Sequence, residues 1–424
     1  MYPFDPRALR GLRGPRGAGD RGGRGAVAPT VYALGLTSLL TDVASEMVTA
    51  VLPLYLLMVL QLSPMQMGAL DALYQGAAAL ARLAGGWFAD RFQRHKPVAA
   101  VGYGLSALCK LGWLAAGSSW LALSFVMAAD RIGKGIRTAP RDAMISLASE
   151  PRHAGLAFGV HRTFDSVGAM AGPLLAFALL ALLPQGFDVI FVVAFFVALT
   201  GLAALLLLVR EPAHSHAAHA QAPALPRPAF ADALALSREP RLRRVLAAAA
   251  GLSVTTIAEP FFHLHLQRST ALPVAWFPLL FLATALGYLS LAVPAGRLAD
   301  RIGRGKVFLL GHMLLAAACA SLLLAAQHKG FGALALLLLG AYYACTDGVL
   351  MAAVGGWLPA NLRASGFAVV TTTTGLARLA GSLLFGALWS AWGMAWAIGA
   401  FGIGTMLALL LTARIWWTLE RTTP

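Results

Sequence analysis

Between Asp130 and Pro173 the sequence reads DRIGKGIRTAPRDAMISLASEPRHAGLAFGVHRTFDSVGAMAGP, a run of acids and bases inside an otherwise apolar chain. Asp130, Lys134, Arg137 and Arg141 follow at steps of four, three and four, which sets them on one helical face. Arg131, Thr138 and Asp142 lie on the adjoining face. After a polar turn at 149–154, His161, Arg162 and Asp165 fall within one turn of a further helix. Asp42 and Glu46 stand four apart on an earlier stretch, Glu259 and His263 four apart on a later one, and Asp347 stands alone. Paired carboxylates repel each other when both are ionised, and that arrangement suits a proton carrier. Glu259 with His263 suits a proton relay. A charge at mid-bilayer costs roughly 3 kcal/mol unless it is paired or hydrated, so a chain that bears many of them is using them. A static cluster of ion pairs that holds helices together is the competing reading of the same residues.

The elements that carry these groups are membrane helices. The chain has 424 residues, 58% hydrophobic and 12% charged, with a mean hydropathy of +0.71, against roughly 25% charged residues in soluble domains. Twelve apolar stretches reach the ~20 residues a bilayer requires. They lie at about 31–60, 64–89, 97–117, 119–148, 155–182, 188–210, 243–267, 273–298, 306–326, 332–357, 366–390 and 393–416. Runs of this length exclude barrel strands. The net charge of +15 falls in tails and short loops, where it acts as a topology signal rather than a nucleic-acid surface. Arg91, Arg94, Lys96, Arg152, Arg301, Arg304, Lys306, Arg363 and Arg421 share one side with the N-terminal tail, so both termini are expected to be cytoplasmic. Cys109, Cys319 and Cys345 have neither disulfide nor zinc spacing. No metal site and no cofactor are expected.

The organisation follows from composition and from an internal repeat. Residues 1–29 are rich in Gly and Arg and read as a disordered cytoplasmic tail. Residues 30–210 form a first six-helix half. Residues 211–242, polar and Pro-rich with His214, His216 and His219, form a cytoplasmic linker. Residues 243–417 form a second half, and 418–424 a short tail. The run from Gly86 through Asp90, Arg91 and Arg94 to Lys96 recurs at one constant offset from Gly296 through Asp300, Arg301 and Arg304 to Lys306. Duplicated helix bundles with a midplane site are the plan of secondary transporters.

These motifs resemble those of the major facilitator superfamily. The doubled G-x-x-x-D-R-x-x-R-x-K loop resembles its signature between helices 2 and 3. Arg131-Ile132-Gly133-Lys134-Gly135 is similar to its Arg-x-x-x-Gly motif on helix 4. Gly168 to Gly172-Pro173 resembles the antiporter motif of helix 5, although Leu174 and Leu175 stand where further glycines are usual. The resemblance implies an all-α membrane protein of twelve transmembrane helices in two pseudo-symmetric six-helix bundles, with helices 1, 4, 7 and 10 lining the cavity. It thereby places Asp42, Glu46, Arg131, Lys134, Glu259, His263 and Asp347 along a proton and substrate path.

By depth, Arg131 is expected level with Asp42 and Glu46, stabilising a deprotonated carboxylate. Gly86, Asp90, Arg91, Arg94, Gly296, Asp300, Arg301 and Arg304, together with Arg137, Arg141, Asp142, His161, Arg162 and Asp165, are expected to form a cytoplasmic gate. Gly168, Gly172 and Pro173 are expected to pack and bend helix 5, while Gly86 and Gly296 permit close helix contact. The expected activity is proton-coupled export of a small organic compound by alternating access, from a monomer in the bacterial inner membrane. Proton-linked uptake of an organic anion, an embedded enzyme and a transport-like receptor are the alternatives. No Walker-type phosphate loop or catalytic constellation is present to favour ATP drive or an enzyme.

Overall fold

The computed structural model describes residues 27–92, 95–149, 153–209, 239–355, 358 and 363–421. The tail before residue 27, Arg94, Arg152, the His214, His216 and His219 stretch of the linker, and Trp357 lie outside the described residues. Gly86, Asp90 and Arg91 fall within a helix, but their surroundings lie outside them too.

The described residues are helical, with no strand among them. In order, the helices are α1 (Pro29–Leu54), α2 (Pro64–Phe92), α3 (His95–Ala115), α4 (Trp120–Leu147), α5 (Ala154–Leu182) and α6 (Phe187–Leu208). After the linker come α7 (Pro240–Val254), α8 (Glu259–Ser269), α9 (Phe277–Ile302), α10 (Arg304–Leu324), α11 (Lys329–Thr346), α12 (Val349–Gly355), α13 (Arg363–Trp392) and α14 (Met394–Arg421). Among the described residues nine helical stretches are long and apolar enough to cross a membrane. α2, α4 and α13 are 28–30 residues long and fall outside that set; α4 alone carries Asp130, Arg131, Lys134, Arg137, Arg141 and Asp142. The protein is an all-α membrane protein.

Three of the spans are not regular helices, and each irregularity has a local cause. α1 contains Pro53, which cannot donate to the helical ladder, and it passes into a π-turn at Tyr55–Val59. The seventh span breaks between α7 and α8: the hydroxyls of Thr255 and Thr256 both turn back on the Leu252 carbonyl, at 3.0 and 3.1 Å, and Pro260 suits only the first turn of the helix that follows. The tenth span breaks between α11 and α12, where Asp347 is extended (ψ 123°) and Gly348 takes φ +81°, a conformation glycine adopts without a Cβ penalty. The sequence reading treated both spans as continuous; the backbone places Glu259 and Asp347 at the interruptions.

The chain divides into two compact units. One holds the described residues through Leu52 and those from Ala81 to 209; the other holds Pro53–Leu80 and those from 239 onward. The division therefore cuts α1 at its proline. In the first unit, a core of Val31, Leu34, Tyr103, Met144, Ile145 and Leu205 joins α1, α3, α4 and α6. In the second, Val245, Leu252, Phe308, Val354 and Val370 lie in another.

Small residues set how closely the helices approach. A methyl built on Gly102 would lie 2.7 Å from the Gly133 carbonyl, so α3 and α4 meet backbone to backbone. One on Gly172 would lie 2.7 Å from the Glu46 Cβ and 2.8 Å from the Val43 carbonyl, and one on Gly168 would lie 3.1 Å from the Asp42 Cβ. α5 thus lies directly on the acidic face of α1. Gly172→Val should cost about 1–3 kcal/mol through overpacking, read as a lower thermal midpoint of the detergent-purified protein. Gly155→Ala, with nothing within 4 Å, should leave the midpoint unchanged. Equal midpoints for the two variants would argue against this α1–α5 contact.

Candidate functional site: a charged seam on α1, α3, α4 and α5

Buried charges survive only where opposite charges and hydrogen bonds offset lost hydration. The first unit shows how. Asp130 points from α4 to α3, where Lys110 Nζ lies 3.3 Å away and Ser106 Oγ donates at 2.7 Å. Arg131 closes on its other oxygen. Lys110 also donates to Ser45 Oγ at 3.3 Å and Ser106 Oγ at 3.1 Å. One turn further along, Arg137 reaches Asp42 of α1 at 3.7 Å while its guanidinium lies 4.6 Å from the centre of the Tyr103 ring, a cation–π contact that favours a desolvated arginine.

Nearer the α4–α5 turn, Arg141 holds Asp142 at 2.9 and 3.0 Å and donates to Ser38 Oγ at 3.3 Å. His161 of α5 meets the same serine at 3.1 Å and Asp165 at 3.5 Å. Arg162 stands 3.9 Å from Asp165.

Two charged groups of the seam are left over. Among the described residues Glu46 and Lys134 make no hydrogen bond and no ion pair. They lie in each other's field, and Glu46 also lies in those of Asp42 and Arg131.

The sequence places Arg131 level with Asp42 and Glu46; in the structure Arg131 sits on Asp130 and lies in the field of Glu46, while Arg137 takes Asp42. The reason is rotation. The α3–α4 glycine contact turns Asp130 toward Lys110, and Arg131 follows its neighbour. The sequence motifs do not single out Lys110. A lysine and an aspartate each embedded in apolar sequence were the available signal. Ser38, Ser45, Ser106 and Tyr103 carried none.

In the second unit the predicted residues are more dispersed. His263 is fully buried, 3.0 Å from Thr284 Oγ1, 3.8 Å from Glu259 and edge-on to Phe281 at 4.4 Å. Asp347, Tyr342 and Tyr343 lie in the field of Arg378. Asp71 accepts a hydrogen bond from Ser382 at 2.5 Å. Among the described residues no three His, Cys, Asp or Glu side chains cluster as metal ligands.

The loop motif turns out to cap helices. Lys96 donates to the Leu206 and Val209 carbonyls at 2.8 and 2.7 Å, where a cation meets the negative end of α6. Arg304 donates to the Ala352 carbonyl of α12 at 2.6 Å and stands 3.7 Å from Asp300. That exposed pair contributes at most about 1 kcal/mol. Among the described residues nothing lies within 4 Å of a Cβ placed on Gly296, so none of them makes the close contact anticipated at this position.

The sequence profile of the Major Facilitator Superfamily matches residues 34–278 and 245–424. The chain belongs to that superfamily and is a transporter by family, not an enzyme. An uncharacterized MFS-type transporter of Methanocaldococcus jannaschii is 28% identical over 373 residues, covering 86% of this chain and 89% of that one. The crystal structure of the nucleoside transporter NupG superposes with a TM-score of 0.75 at 16% identity, covering 91% and 98% of the two chains. A bacterial homolog of the human lysosomal transporter Spinster, inward-facing and unoccupied, gives 0.70 at 15%, covering 93% and 96%. These likenesses establish the fold.

Lys110→Met should destabilise the protein by about 3–5 kcal/mol, because Asp130 would stay buried with one cation removed. Adding Asp130→Asn should return part of that loss. Reversible unfolding in mixed micelles measures both, and a Lys110→Met protein as stable as wild type would contradict the buried pair.

Proposed function

We propose that the protein is a secondary transporter that exchanges protons for a small organic compound by alternating access, exporting that compound across the bacterial inner membrane as a monomer with both termini cytoplasmic. One observation carries the reading. Among the described residues, Asp42, Asp130, Asp142 and Asp165 of the seam each have a cationic partner within 4 Å, and Glu46 has none. A carboxylate held by a permanent ion pair cannot trade its proton without breaking the pair. Glu46, one helical turn from Asp42 and packed on α5 at Gly172, is free to do so.

Asp42 and Glu46 form the proton site in this account. Arg137 is the cation that Asp42 gives up or regains, and Arg131 acts on Glu46 through its field. Within the second unit, Glu259, His263 and Asp347 are read as the proton and substrate path, two of them at interrupted helices. Arg141, Asp142, His161, Arg162 and Asp165, with the two loop motifs, make the inner gate. Lys134, also without an ion pair, favours the second reading: proton-linked uptake of an organic anion that it would hold.

Purified protein in proteoliposomes, given a pH gradient and a panel of labelled compounds, tests both. Export by exchange predicts compound and protons moving in opposite directions, and uptake predicts the same direction. Glu46→Gln should abolish gradient-driven flux while leaving solute counterflow. Gradient-driven flux undiminished in Glu46→Gln with Asp42→Asn would end the proton assignment.

A further inference from the structure

The seam does not stop at Glu46 and Asp42. α5 lies against α1 with only glycine between, a methyl on Gly168 falling 3.1 Å from the Asp42 Cβ. One turn before Gly168 stands Asp165. Its carboxylate lies in the fields of Asp42 from α1, Arg141 from α4 and Arg162 from its own helix. Oδ2 faces His161 Nδ1 at 3.5 Å and Arg162 at 3.9 Å, and the Ser38 hydroxyl lies near enough to act on the carboxylate, while Oδ1 is buried with no partner at hydrogen-bond geometry among the described residues. Beyond it His161, 1% exposed, meets the Ser38 hydroxyl through Nε2 at 3.1 Å, and that hydroxyl accepts from Arg141. A static gate would satisfy both oxygens of a buried carboxylate. An acid with an empty oxygen beside a second acid, backed by an imidazole that joins a hydroxyl, is arranged instead for handing protons on.

We propose that Asp165 and His161 carry the proton between the Asp42–Glu46 carboxylates and the α4–α5 end of the helices. This rests on the reading of Asp42 and Glu46 as the proton site. Asp165 takes a proton as Asp42 loses one, and becomes neutral. It returns to carboxylate by giving a proton to His161 Nδ1. The resulting imidazolium gives its Nε2 proton to the Ser38 hydroxyl, which passes its own proton to water, and His161, left as the Nδ1–H tautomer, returns to the Nε2–H tautomer before the next transfer. One proton enters and one leaves. Arg137, Arg141 and Arg162 stay charged throughout and keep the intermediate carboxylates from holding the proton permanently.

Infrared spectroscopy of the full chain in proteoliposomes tests this with the proton itself as the probe. The carbonyl stretch of protonated carboxyl groups is followed between about pH 5 and 9, and its growth is timed after a caged-proton flash. The band lost in Glu46→Gln marks the proton site. Asp165→Asn should remove a further band, and Asp42→Asn should shift the midpoint of that band. Asp165→Asn and His161→Gln should each slow the growth of the Glu46 band by about tenfold or more without changing its final size. Asp165→Glu, which keeps an acid, should restore a band and the rate, and it stands in if the asparagine variant does not fold. If Glu46→Gln removes a band while Asp165→Asn neither removes one nor slows the other, the relay is wrong and the proton site stands. If no carboxyl band titrates in the wild type, the proton site fails and the relay with it.

Discussion

A guanidinium and a carboxylate that leave water together hold each other, because neither has another partner to return to. The Arg137–Asp42 bridge is that interaction here. It ties α4 to α1 at 3.7 Å, with Tyr103 of α3 against the cation. Together with the Gly102–Gly133 contact it sets the rotation of α4, so that Asp130 meets Lys110 on α3 and Arg141 reaches Ser38 on α1. Among the described residues every charge of the seam then has an ion-pair partner except Glu46 and Lys134. The unpaired carboxylate is therefore a consequence of how the others pair.

The backbone prepares this arrangement. Gly102 and Gly133 bring α3 and α4 together; Gly168 and Gly172 bring α5 onto α1. Short distances between helix axes shorten the reach that arginine and lysine need. In the second unit the device is different. There two spans break, at Thr255–Ala258 and Asp347–Gly348, and the acidic residues sit at the breaks rather than along an unbroken face.

Much of this was legible in the chain. Steps of three and four placed Asp130, Lys134, Arg137 and Arg141 on α4, and the doubled loop motif announced the repeated architecture and the family. The breaks were also written locally: two threonines before Glu259-Pro260, and Asp347-Gly348. They were overlooked because hydropathy averages over them. What periodicity could not supply was pairing. It fixes which residues share a face but not how far that face is turned toward α1 or α3, and the turn decided that Arg137 rather than Arg131 meets Asp42. The loop motif shows the same limit: its lysine and arginine satisfy the carbonyl ends of α6 and α12, partners distant in sequence that no local pattern names.

The central claim is that the α1 and α4 charges fold as partners across helices. A double-mutant cycle on Asp42→Asn and Arg137→Met, read by reversible unfolding in bilayer discs, measures it most directly. The account predicts that each single variant is strongly destabilised, that the pair is more stable than the sum of the singles, and that the coupling is at least about 2 kcal/mol. Additive losses, with coupling below about 0.5 kcal/mol, would contradict it.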